Sequence, residues 1–143
     1  MSASTASLTA PSQSTRRTRR SGVLTRTTIA VGAIAAAVVT AAAGLLHAAG
    51  VSFAIDGERI PLLGFAQLTF VGAVIGGFLV AGLNRGSASP RRRFVQVAVG
   101  LTTLSCVPSL TMPDDVATKV ALVTLHLLAA AIIVPALSQH AND

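Results

Sequence analysis

Four apolar stretches, residues 29–51, 60–83, 94–110 and 116–137, contain between them a single charged side chain, Lys119. They run to 23, 24, 17 and 22 residues. A bilayer's hydrocarbon core is about 30 Å thick and a helix rises about 1.5 Å per residue, so about 20 apolar residues span it. The third stretch is at the short limit, and the others are long enough to cross with some tilt. In hydrocarbon every backbone polar group must find its partner internally, which leaves helices for segments of this length. The chain is therefore expected to be all-α, an integral membrane four-helix bundle over residues 29–138. Composition agrees: 52% hydrophobic and 11% charged side chains are too few charges to coat a water-exposed domain.

Residues 1–28 are rich in Ser, Thr and Arg with few large apolar side chains, the composition of a disordered basic tail. The basic start and small residues near Ala48 also fit an export signal, with Arg19 and Arg20 as a twin-arginine pair. The apolar run exceeds the roughly 7–15 residues of a signal core, however, and further spans follow, so the first span is read as uncleaved.

Nine of the 11 basic residues lie in two segments, Arg16, Arg17, Arg19, Arg20 and Arg26, then Arg85, Arg91, Arg92 and Arg93. Only Arg59 and Lys119 flank the other side. Lys and Arg accumulate on the cytoplasmic side of plasma-membrane proteins, so both termini and the loop at Arg91 are expected in the cytoplasm, against anionic lipid headgroups. The net charge of +6 could suggest nucleic acid. The charges abut apolar spans, though, and no aromatic residues interleave with them to stack on bases, so no nucleic-acid partner is expected.

Between the spans, Asp56-Gly57 reads as a tight turn and Pro61 as a helix first-turn residue. NRGSASPRRR, residues 84–93, is a polar turn, Pro108 marks a frayed end to the third span, and Lys119 can snorkel to the headgroups. The second span opening IPLLGFAQLTFVGAVIGG and the last span LVTLHLLAAAIIVPAL resemble a family of small four-span membrane proteins of unknown function common in actinobacteria. The resemblance covers residues 26–138 and implies a four-helix fold. It implies no activity and carries no site residues.

Small residues recur at helical spacing: Gly72 and Gly76 form a GxxxG pair continued by Gly77 and Ala81, and Gly32, Ala36, Thr40, Gly44 and Ala48 repeat every fourth residue. Such ridges let helix backbones approach closely in lipid, between the first two spans or between two copies. An alanine-rich helix also produces them by chance. Polar side chains recur in the half of each span away from the arginines: His47, Gln67, Thr102, Thr103, Ser105 and His126. These form a candidate intramembrane polar network, the alternative being a ligand or ion site. His47 and His126 fall within about one helical turn of the same depth, on helices that are commonly neighbours in a closed bundle. Each is expected to be neutral and hydrogen-bonded, without haem or metal.

Other chemistries lack their residues. No carboxylate lies deep in a span to relay protons or sodium, which argues against coupled transporters and the small four-helix multidrug exporters. A lone Cys106 cannot form an intramolecular disulfide or a CxxC redox pair and reads as a packing residue. Neither GxSxG nor HExxH occurs, and the expectation is no enzyme and no cofactor. What remains is a small accessory or scaffold component acting by helix association, as a homo-oligomer or with a membrane-protein partner. The alternatives are a channel or facilitator for a small neutral solute, or a redox protein holding haem through His47 and His126.

Overall fold

A computed structural model describes residues 13–113 and 115–142. Helix α1 is Gln13–Ala48, α2 Leu62–Gly86, α3 Pro90–Thr111 and α4 Val116–Ser138, with strands β1 Ala54–Ile55 and β2 Glu58–Arg59 between α1 and α2. All four helices are long and apolar enough to cross a membrane, α1 through its Ser21–Ala48 portion. The fold is thus the all-α membrane-type bundle read from the sequence.

Helix α1 begins at Gln13, well inside the segment 1–28 expected to be disordered. Once a span has nucleated a helix, each further residue adds a hydrogen bond without a new nucleation cost, and the extension holds no proline and several arginines, which are good helix formers. Residues 1–12 of that expectation lie outside the described residues. The first span ends at Ala48 rather than at residue 51, because Gly50 adopts φ 101°. There Gly50 N–H donates to His47 O and Val51 N–H to Leu46 O, each at 3.0 Å, a left-handed helix cap that glycine takes without strain. Helix α3 runs through Pro108 to Thr111 rather than fraying there, since a proline in the last turn removes only one backbone bond.

Asp56 and Gly57 both have positive φ, 51° and 80°, and join β1 to β2 as a two-residue hairpin in register Ile55–Glu58. Asp-Gly suits this turn because aspartate tolerates the left-handed region and glycine occupies it freely. An isolated bridge from Ile55 to Pro113 ties the hairpin to the segment before α4.

Connectivity makes successive helices antiparallel, so one end of the bundle carries Arg26, Arg85, Arg91, Arg92 and Arg93 and the other carries the hairpin. Helix α1 packs most extensively on α2 and also along α4, while α3 leans mainly on α4. The first and last helices are therefore neighbours. Two apolar clusters hold the bundle. Val39, Ala43, Phe53, Phe65, Ala121, Leu122 and Leu125 lie towards the hairpin, and Val80, Phe94, Leu137 and Ala141 towards the arginines. Between them Ala35, Ala36 and Ala73 are buried, and α1 and α2 approach closely where Gly32 faces Ala73. In α3 only Pro90, Phe94 and Ser109 are buried, so this helix is anchored near its ends.

Candidate functional site

The polar side chains expected to bond across the spans are not brought together. His47 is exposed and its Nδ1 lies 3.0 Å from Val51 O; His126 is half-buried with Nδ1 2.9 Å from Leu122 O. A carbonyl only accepts, so in both rings Nδ1 carries the proton. Thr102 donates to Ala98 O and Ser105 to Thr102 O, each at 2.8 Å, and Thr103 donates to Val99 O at 2.9 Å. Gln67 is exposed, and its side chain makes no hydrogen bond among the described residues. Each bonded residue satisfies itself on a carbonyl three or four residues away in its own segment, the competition that Ser, Thr and His offer in any helix. His47 also stands on the outer surface rather than facing His126 across the interior. Among the described residues no group of three or more His, Cys, Asp or Glu could hold a metal ion.

The polar bonds that do join distant segments sit at the two ends of the bundle. At the hairpin end Asp115 caps α4, its carboxylate accepting Thr118 N–H at 2.7 Å and the Ser52 hydroxyl at 2.9 Å. Thr118 is fully buried, and its hydroxyl oxygen accepts Phe53 N–H at 3.2 Å and lies 3.2 Å from Ser52 Oγ. The bonds from Thr118, first its side chain and then its backbone, hold the Asp115 carboxyl below its usual range, with Ser52 adding to them. A carboxyl lowered by folding stabilises the native state above its unfolded value, and this is lost as pH falls through the lowered value. This cap therefore loosens only in acid.

At the arginine end a second set ties the last helix to the first two. His140 Nδ1 donates to Ala136 O at 3.1 Å, and its Nε2 lies 3.2 Å from the Thr27 hydroxyl, within hydrogen-bond reach. Asn84 at the end of α2 donates to His140 O at 3.0 Å and accepts Asn142 N–H at 2.8 Å. Sequence reading missed both sets. An Asp three residues before a Thr at a span start is a legible cap signal, whereas the partners 113 residues apart in the Thr27–His140 bond have none.

Of the candidate packing glycines, two meet neighbours. A β-carbon on Gly76 would lie 2.9 Å from Leu137 Cδ1 of α4, and one on Gly77 would lie 2.5 Å from Thr28 Oγ1 of α1. Gly72 faces open space, so Gly72 and Gly76 do not form the single groove expected of a GxxxG pair. On α1, Gly32 meets Ala73 at 3.0 Å and Gly44 meets nothing.

Two open hollows lie on the outer surface. One of about 580 Å³ at the start of α3 is lined by Ser89, Arg91, Arg92, Val95, Gln96 and Asn142. The other, about 450 Å³, is apolar, on the outward side of α2, and lined by Ile75, Phe78, Leu79, Gly82 and Leu83. Neither coincides with the intramembrane polar residues.

No curated protein and no solved structure matches this chain. Its sequence does match a family of unknown function, DUF6069, over residues 17–143. That match takes in α1 from residue 17, the other three helices and both polar ends, and the chain belongs to this family of unknown function.

Proposed function

We propose that this protein is a small multi-pass component of the plasma membrane that acts without catalysis, as an accessory or scaffold subunit, by associating with another membrane helix. The observation that carries this reading is the outward side of α2. Gly72 and Gly82 have no atom within 4 Å of where a β-carbon would stand, and Gly82 sits in the apolar hollow beside Ile75 and Phe78. Small residues next to a hollow on a lipid-facing helix let a second backbone approach closely, and close packing is what drives association where lipid removes the hydrophobic advantage. The occupant is a second copy or a different membrane protein.

A β-carbon on Gly82 would meet nothing within 4 Å, so Gly82→Leu fills this outward hollow without disturbing the packing inside the bundle. In mild detergent the wild type is expected to migrate as a complex, and the variant as a single copy with an unchanged melting temperature. A wild type that is monomeric at membrane concentrations and co-purifies with nothing would remove the reading. A facilitator for a neutral solute is the second reading, and it needs an assembly. Ala35, Val39, Ala43, Leu122, Leu125 and Leu137 fill the inside of a single bundle.

In this proposal both termini face the cytoplasm, because Arg26, Arg85, Arg91, Arg92 and Arg93 share one end with the C-terminal segment while Arg59 and Lys119 are the basic residues of the other. Alkaline phosphatase fused after Gly57 or Asp115 is expected to be active, and fused after Ser89 inactive. Strong activity at Ser89 would reverse the orientation.

A further inference from the structure

We propose that the hollow at the start of α3 is a binding site for the phosphodiester headgroup of an acidic phospholipid. It lies at the end of a span-length helix, where lipid headgroups stand, and its volume is about 580 Å³. Arg91 and Arg92 line it together with Ser89, Gln96 and Asn142, so two guanidinium forks and three neutral polar groups surround one space. Guanidinium forks match phosphate oxygens with paired, charge-assisted bonds, and hydroxyl and amide groups supply the remaining donors.

The surrounding charge favours an anion. Among the described residues the acidic side chains, Asp56, Glu58 and Asp115, all belong to the hairpin end, whereas Arg26, Arg85 and Arg93 add to the positive field at this end and, with Arg91 and Arg92, outnumber the one acid next to the lining in sequence, Asp143. The shape of the hollow selects a lipid over a free phosphate. Val95 forms part of its lining, and Val99, one turn further into the span, is 56% exposed on the same side of α3. A polar rim at the helix end that continues into an apolar wall along the helix matches a molecule with a charged head and an acyl chain. Basic pockets beside transmembrane helices recognise acidic headgroups by this combination.

The site rests on the chain spanning a bilayer, and it depends neither on the helix-association reading nor on orientation. The test uses the full chain in detergent, titrated with dioleoyl phosphatidylglycerol or dioleoyl phosphatidylcholine, with bound lipid counted by native mass spectrometry. The wild type is expected to retain phosphatidylglycerol in preference to phosphatidylcholine. Arg92→Gln should weaken phosphatidylglycerol binding several-fold, and Arg91→Gln with Arg92→Gln on the order of tenfold or more. Gln96→Leu, which leaves every charge in place, should weaken it by a smaller factor. Arg26→Gln with Arg85→Gln removes the same charge from the same end away from the hollow and should change binding by less than about twofold.

Three results would overturn the site. Equal retention of the two lipids denies headgroup recognition. An equal loss in the Arg26/Arg85 pair makes the attraction a diffuse surface field. Displacement of phosphatidylglycerol by inorganic phosphate at matched concentration assigns the hollow to a soluble anion.

Discussion

Gly77→Ala is expected to destabilise the bundle by about 1–3 kcal/mol, the usual range for forcing extra atoms into a packed contact. Taken alone, alanine improves a helix interior by roughly 0.5–1 kcal/mol over glycine, so the sign depends on what the new methyl group meets. It meets the Thr28 side chain at 2.5 Å from Oγ1, 2.7 Å from Cγ2 and 3.2 Å from Cβ. Rotating Thr28 moves its two outer atoms but not its β-carbon, so α1 and α2 must separate along their most extensive contact. Crowding wins over propensity.

The proof lies in a second substitution. Thr28→Ala removes both outer atoms, and with them a buried hydroxyl that has no hydrogen-bond partner. The double variant should therefore recover most of the loss, a coupling that a double-mutant cycle of melting temperatures in detergent measures. Gly72→Ala, facing open space on the same helix, should be neutral or slightly stabilising. If Gly77→Ala and Gly72→Ala melt alike, the close approach at Thr28 is not what joins these helices.

A second large effect belongs to Phe53, outside the helices and at the water-facing hairpin end. It is 2% exposed and meets Phe65 edge-on at a ring-centroid distance of 5.1 Å, within the cluster containing Val39, Ala121 and Leu125. Within the bilayer, lipid replaces buried apolar contact at little cost; at the aqueous end water does not. Phe53→Ala is expected to cost about 3–5 kcal/mol, as for other buried aromatic residues. Phe53 also holds φ 48°, a left-handed conformation that disfavours any residue with a β-carbon. Alanine keeps that strain and glycine relieves it, so Phe53→Gly should melt above Phe53→Ala. Identical melting of wild type and Phe53→Ala would mean that the cap opens independently of the bundle.

The four spans were legible because a bilayer imposes one simple requirement, a long enough run of apolar residues, and nothing tertiary can alter it. Asp56-Gly57 was legible for a similar reason, since the φ values of a two-residue hairpin turn are a local matter. Both are properties of neighbours in sequence.

The polar assignments depend on which way each helix is turned about its axis. Counting residues along each span puts His47, Gln67, Thr102, Ser105 and His126 in the half of the bundle away from the arginines. Rotation was not legible in this way, because Ala-, Val- and Leu-rich helices present weak differences between faces, and lipid penalises an outward apolar side chain no more than an inward one. A hydroxyl or imidazole can also satisfy itself on its own helix, so a polar residue within a span does not compel a partner.

Only the packed structure decided that the long-range polar bonds gather at the ends, through Ser52, Asp115 and Thr118 on one side and Thr27, Asn84 and His140 on the other. It likewise separated Gly76 and Gly77, which touch α4 and α1, from Gly72, which touches neither. What the sequence determined by itself was thickness, number of crossings and the segregation of charge, all one-dimensional consequences of solvent. Which faces meet is set by close packing between helices, and packing is a property of pairs of surfaces that no single segment carries.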